Sequence, residues 1–123
     1  MAGARALITG INGFVGSHLA EHLLAHTDWQ VFGTALGRLD ALQGIADRLT
    51  LFPAELSQAA VMERILDESQ PDYVFHLAAQ PLPAASKVDP WGTLENNIRL
   101  QLNLLEAVAS QGLGCRVLVV GSS

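Results

Sequence analysis

Three glycines, Gly10, Gly13 and Gly16, stand at G-x-x-G-x-x-G spacing between an apolar run at 6–8 and an amphipathic stretch opening at Phe14-Val15. Strand, glycine turn and helix in that order form an arrangement that holds a pyrophosphate. Gly10 permits the tight turn, and Gly13 lets backbone N–H groups approach the phosphates closely. Gly16 lets the helix pack against the strand, with its positive N-terminal end facing the anion. Glycine triplets are common by chance, so the weight lies in the position between strand and helix. Asn12, Phe14 and Val15 share that loop and join the glycines as candidate binding residues.

A second group with chemical meaning is Thr34-Ala35-Leu36-Gly37-Arg38, closing the next β-rich run. At such a place an NAD site carries a carboxylate for the ribose hydroxyls, and an NADP site carries a cation. Ala35 stands where the acid would lie, and the planar fork of Arg38 suits a 2′-phosphate. NADP(H) is therefore favoured over NAD(H). Two alternatives stay open: a solvated Arg38, and Asp40 turned inward as a late carboxylate. His18, His22 and His26 recur every four residues and invite a metal reading. Val15, Leu19 and Leu23 make the apolar stripe of that helix, however, and no cysteine or carboxylate cluster completes a shell. A solvated face is the expected use of these histidines, with no metal, and His76 reads as a packed core residue.

The elements that must position these groups alternate along the chain. Strands are expected over Arg5–Thr9, Gln30–Ala35, Leu49–Phe52, Tyr73–Leu77 and Arg116–Val120. Helices are expected over Phe14–His26 and Leu39–Ala46, then from an N-cap at Ser57 to near Ser69. A last helix runs from Asp89-Pro90 to Gly112, with Leu94, Ile98, Leu102, Leu105 and Val108 at helical spacing. The unbroken apolar run of the last strand suits a sheet buried on both faces. Alternation at this rhythm predicts an α/β fold, a Rossmann-type doubly wound parallel sheet with helices on both faces. The chain stops at Gly121-Ser122-Ser123, at the carboxyl end of that fifth strand where ligands of open parallel sheets bind. Residues 1–123 thus read as the N-terminal part of one cofactor domain, truncated after the fifth strand, within a longer protein.

Composition bounds the rest. Half of the 123 residues are apolar and 15% are charged, a globular balance. A formal net charge of −5 argues against nucleic acid or an anionic membrane as partner. No apolar run approaches the ~20 residues of a membrane span. Cys115 is the lone cysteine, so no internal disulfide forms and a cytoplasmic compartment is expected.

Four segments together resemble the NAD-dependent epimerase/dehydratase family, the extended short-chain dehydrogenases acting on nucleotide sugars. They are residues 9–19, His76-Leu77-Ala78-Ala79-Gln80, Asn97 with 103–107, and Val119-Val120-Gly121-Ser122-Ser123. The second, with Ser86 and Asp89-Pro90, is most similar to GDP-mannose 4,6-dehydratases and GDP-4-keto-6-deoxymannose reductases. The resemblance implies hydride transfer at a sugar carbon of a nucleoside-diphosphate sugar. A Ser/Thr, a Tyr and a Lys would assist the proton transfer. It implies a catalytic hydroxyl at Ser122 or Ser123, an adenine contact at Glu55, and cofactor contacts at Leu77, Ala78, Ala79 and Gln80. Asn97 would organise hydrogen bonds in the site, although Leu100-Gln101 stands where a Gly-Thr pair is common in the family. Related enzymes often form homodimers through the helix that carries it.

The family's Tyr-x-x-x-Lys pair has no match here. Tyr73 and Lys87 are the one tyrosine and one lysine, and Leu77 stands four residues past Tyr73. The expectation is the NAD(P)-binding portion of an enzyme whose chemistry is completed elsewhere, inactive by itself. A non-catalytic dinucleotide sensor or scaffold is the alternative, decided by sequence beyond Ser123. An S-adenosylmethionine methyltransferase would want an acid where Ala35 stands.

Overall fold

The computed structural model describes residues 3–37, 39–54, 56, 58–77 and 90–119. Its elements are β1 (Arg5–Thr9), α1 (Phe14–His26), β2 (Gln30–Ala35), β3 (Thr50–Pro53), α2 (Ala59–Ser69), β4 (Tyr73–His76), α3 (Pro90–Ser110) and β5 (Arg116–Val119). The five strands form one sheet in the order β3-β2-β1-β4-β5, and every pairing is parallel. From β1 the chain winds outward through β2 to β3, then crosses back and winds the other way through β4 to β5. The reversal falls between β1 and β4, so a crevice opens at their carboxyl ends, where ligands of such sheets sit.

Strand alternation sends side chains to two cores. Ala6 and Ile8 of β1 join Val31 and Ala35 of β2, Ile11, and Ala20 and Leu23 of α1. Leu7 lies on the opposite face with Phe32, Val74, Met62, Ile65 and Leu66 of α2, and Leu100, Leu104 and Ala107 of α3. Helices therefore cover both faces, as the doubly wound reading requires. At the amino ends, Arg5 lies 4.7 Å over the Phe32 ring and donates to the Ser69 carbonyl and to Gln30 Oε1. The Trp29 and Tyr73 rings stack 4.8 Å apart. These contacts fasten the edge far from the crevice.

Several expectations are corrected. The segment expected as a helix over Leu39–Ala46 is two 3-10 turns, Asp40–Leu42 and Ala46–Arg48. Gly44 between them adopts φ 94°, a left-handed conformation that a continuous helix excludes. Strand β3 runs one residue later than Leu49–Phe52 and takes in Pro53, tolerated because β3 is an edge strand. Helix α2 begins at Ala59 with Gln58 at its N-cap and no side-chain cap bond. The expected cap, Ser57, lies outside the described residues. Helix α3 ends at Ser110, and Gly112 at φ 63° turns the chain out of it.

Two further corrections concern which faces are covered. In α1 the buried residues are Gly16, Ser17, Ala20 and Leu23, while Val15 is exposed. In α3 the inward stripe is Leu100, Leu104 and Ala107 with Val108 packed beside them, whereas Leu94, Ile98, Leu102 and Leu105 point outward with Trp91. β5 was expected to be buried on both faces, yet Leu118 is 54% exposed. Among the described residues β5 pairs with β4 alone, so its outer edge has no neighbouring strand. No helix among the described residues is long and apolar enough to cross a membrane.

Candidate functional site

The crevice is floored by the glycine turn, whose three glycines have different steric reasons. Gly10 sits at φ 70°, a conformation that disfavours any residue with a Cβ. At Gly16 an added Cβ would lie 2.5 Å from the Gly10 carbonyl oxygen and 2.8 Å from Ile11 Cα. Helix α1 thus packs backbone to backbone on the turn, and only glycine fits. Gly13 differs: a Cβ there would meet Gly10 O at 3.4 Å, an ordinary contact, with nothing else close. The protein itself does not demand glycine at 13, so the demand is left to whatever approaches from outside.

What approaches would meet backbone donors. Gly13 is the N-cap of α1 and carries no side-chain cap, and the first turn holds no acidic residue. Among the described residues no acceptor receives the N–H groups of Phe14, Val15 or Gly16. Three outward N–H groups and the positive end of a thirteen-residue helix suit an anion. The Phe14 and Val15 side chains flank them, 78% and 60% exposed.

The turn is stitched to the end of β2. Gly10 N–H donates to Thr34 Oγ1 at 3.3 Å, Ile11 N–H to the Thr34 carbonyl at 3.0 Å, and Asn12 Nδ2 to the Leu36 carbonyl at 2.9 Å. Gly33 permits this closeness, since a Cβ there would strike the Ile11 side chain at 2.5 Å. Gly33 is not among the candidates that the sequence offers, although a glycine inside a strand is itself a signal of close backbone approach. Thr34 is, but its bonds to the turn depend on how β2 lies beside β1.

On the other side of the crevice, β1 and β4 are tied at their carboxyl ends. Thr9 Oγ1 lies 2.8 Å from His76 Nδ1 and accepts the Leu77 N–H at 3.0 Å. The Leu77 N–H also reaches the Thr9 carbonyl at 3.2 Å. Thr9 and His76 are both buried. Burial pushes the His76 imidazole below its ordinary value of 6.5, favouring the neutral ring. His76 is thus a satisfied core residue whose partner sits at the mouth of the site. The role of Thr9 is visible in the sequence only once the pairing of β1 with β4 is known.

Of the candidate residues, Gly10, Asn12, Gly13, Phe14, Val15 and Gly16 are together in the turn, and Leu77 is at the end of β4. Asn97 is half-buried on α3, one turn before Leu100 on the inward stripe. Ala35 is buried at the last position of β2 with Ile11 and Leu42. Arg38, Glu55, Ala78, Ala79, Gln80, Ser86, Ser122 and Ser123 lie outside the described residues. The three histidines of α1 do not converge: His18 Nδ1 lies 2.8 Å from the Phe14 carbonyl, while the His22 and His26 rings lie 4.5 Å apart.

A parallel sheet wound both ways, with a glycine turn and a bare helix N-terminus at its switch point, defines the dinucleotide-binding class of α/β proteins. The chain belongs to the NAD dependent epimerase/dehydratase family, whose model matches residues 6–123. It is 35% identical over 109 residues to a dTDP-glucose 4,6-dehydratase of Shigella flexneri, covering 84% of this chain and 30% of that one. It is 34% identical over 119 residues to a GDP-6-deoxy-D-mannose reductase of Pseudomonas aeruginosa, covering 96% and 34%. Among solved structures, a Thermus thermophilus UDP-glucose 4-epimerase in complex with NAD superposes with a TM-score of 0.69 at 33% identity, covering 89% and 35%. The chain spans about a third of the length of these relatives.

Proposed function

We propose that this chain binds NAD(P) at the β1–α1 turn and forms the cofactor-holding part of a nucleotide-sugar dehydratase, reductase or epimerase. The observation that carries the reading is the open cradle at Gly13. A turn that excludes side chains at Gly10 and Gly16 leaves space at the end of a helix, with three N–H groups that no described residue accepts. These residues fit a pyrophosphate: the Phe14, Val15 and Gly16 N–H groups would hold it, and Gly13 would let it come near. When bound, the nicotinamide supplies hydride transfer at a sugar carbon. Leu77, Ala78, Ala79 and Gln80 would bound the crevice on the β4 side, Asn97 would order its hydrogen bonds, and Glu55 would accept from adenine. Ser122 or Ser123 would offer the hydroxyl to the reacting sugar oxygen.

At the ribose, no carboxylate is offered by Ala35, and Arg38 follows the corner, which supports NADP(H) over NAD(H). The NAD-bound Thermus thermophilus relative supports NAD(H) as the second reading. The proton-transferring Tyr and Lys would come from sequence outside these 123 residues, so this chain alone binds without turnover. If that sequence lacks the pair, a dinucleotide sensor or scaffold is the better reading. The outward apolar stripe of α3, from Trp91 to Leu105, supports a homodimer through that helix. The single cysteine and acidic balance support a cytoplasmic setting with no nucleic-acid or membrane partner.

Titration of NADPH and NADH against wild-type and Arg38→Ala protein tests the ribose reading. NADPH is expected to bind more tightly to wild type, with the preference lost in the variant. Tighter NADH binding, and a ratio untouched by Arg38→Ala, would overturn it.

A further inference from the structure

We infer that Asn12 is a specificity-positioning residue, holding the corner after β2 at the place where a dinucleotide's 2′ position is read. The inference rests on the dinucleotide reading above. Its observation is the bond from Asn12 Nδ2 to the Leu36 carbonyl, 2.9 Å long, reaching from the glycine turn past the last residue of β2. The two other bonds from the turn end on Thr34, inside the strand, where the ladder already fixes the backbone. On the β3 side, the Ala54 N–H reaches the Ala35 carbonyl and goes no further.

Among the described residues, Leu36 and Gly37 have no other fastening. Among the described residues the Asn12 bond is the one hydrogen bond that either makes. Packing does not hold them, because Leu36 is 57% exposed and Gly37 stands at φ 80° with open space around it. A glycine in a left-handed conformation, with nothing described within 4 Å of where a Cβ would stand, has more than one accessible arrangement. One amide thus ties the segment that discriminates the ribose to the loop that grips the pyrophosphate. Asn12 acts on the 2′ position through this corner, and its own contact with the nucleotide is not required.

NADH and NADPH share the pyrophosphate and differ at the 2′ position, so the ratio of their affinities isolates the effect. The experiment compares wild type with Asn12→Ala, Asn12→Asp and Asn12→His by calorimetric titration, with thermal melting as a check on folding. Asn12→Asp keeps the size but replaces the donor with a group that repels the Leu36 carbonyl. In Asn12→His, Nδ1–H stands about as far along the side chain as the lost Nδ2–H. The expected result is a change of about fivefold in the NADPH:NADH ratio in Asn12→Ala and Asn12→Asp, the scale of one net hydrogen bond, with partial recovery in Asn12→His. Equal loss of both nucleotides, or one ratio in all four proteins, would overturn the inference and leave the dinucleotide reading standing. Failure of wild type to bind either nucleotide would overturn both.

Discussion

Gly13 and Gly16 lie three residues apart in one turn, yet substitution by alanine should separate binding from folding. At Gly16 the new methyl would sit 2.5 Å from the Gly10 carbonyl oxygen, against an ordinary contact of 3.4 Å, so turn and helix must part by about 0.9 Å. Overpacking of this kind costs about 1–3 kcal/mol. At roughly 4 °C per kcal/mol for a domain of this size, Gly16→Ala should melt about 4–12 °C below wild type. At Gly13 the same methyl makes only the 3.4 Å contact, and its φ of −78° and ψ of 175° suit alanine. The loss there is that of glycine to alanine at an N-cap, about 0.5–1 kcal/mol or roughly 2–4 °C. The methyl otherwise meets open space at the N-cap of α1, where the phosphate would lie, and losing one hydrogen bond to a charged phosphate removes about 1.5–3 kcal/mol, roughly tenfold or more in affinity. Differential scanning calorimetry and NADPH titration on both variants read the two quantities. A Gly13→Ala protein that binds as wild type does, or a Gly16→Ala protein that melts with wild type, would refute this division of labour.

Other consequences can be measured alongside. The His76 imidazole is held neutral by burial and its value in the folded chain is below the ordinary 6.5, so the unfolded chain binds the proton more readily. Its contribution to stability is complete above about pH 6.5 and declines as pH falls toward the lowered value, by at most about 1.4 kcal/mol per pH unit. His76→Asn should melt lower at pH 7.5 and show a shallower fall between pH 7.5 and 5.5; an unchanged slope would count against the assignment. Ile98→Glu, in the middle of the outward stripe of α3, should shift any dimer to monomer in sedimentation velocity without lowering the melting temperature. A drop in melting temperature at equal mass would instead mean that Ile98 packs within the chain.

The sequence carried the first three elements residue for residue, because β1, α1 and β2 bracket a glycine turn whose chemistry allows few alternatives. It misled where two patterns competed. In α3 both Leu100-Leu104-Ala107 and Leu94-Ile98-Leu102-Leu105 keep helical spacing, and only the sheet decides which stripe faces inward. The helix expected over Leu39–Ala46 would have to run through Gly44, whose left-handed conformation divides the segment into two turns. β5 is apolar enough for a central strand, yet among the described residues it stands at an edge. In the site, glycine spacing was legible, whereas Gly33 beneath Ile11 and the Asn12 bond to Leu36 depend on how β2 lies beside β1. Pairing of that kind leaves no periodic trace in one sequence.

Whether the cradle at Gly13 holds a dinucleotide pyrophosphate decides the function proposed for this chain. Isothermal titration of NADPH into the folded protein measures this directly, with Gly13→Ala run in parallel. Saturable binding at one site per chain, lost or weakened at least about tenfold in the variant, is the expected result. A protein that melts cooperatively and gives no saturable binding of NADPH or NADH would contradict the account.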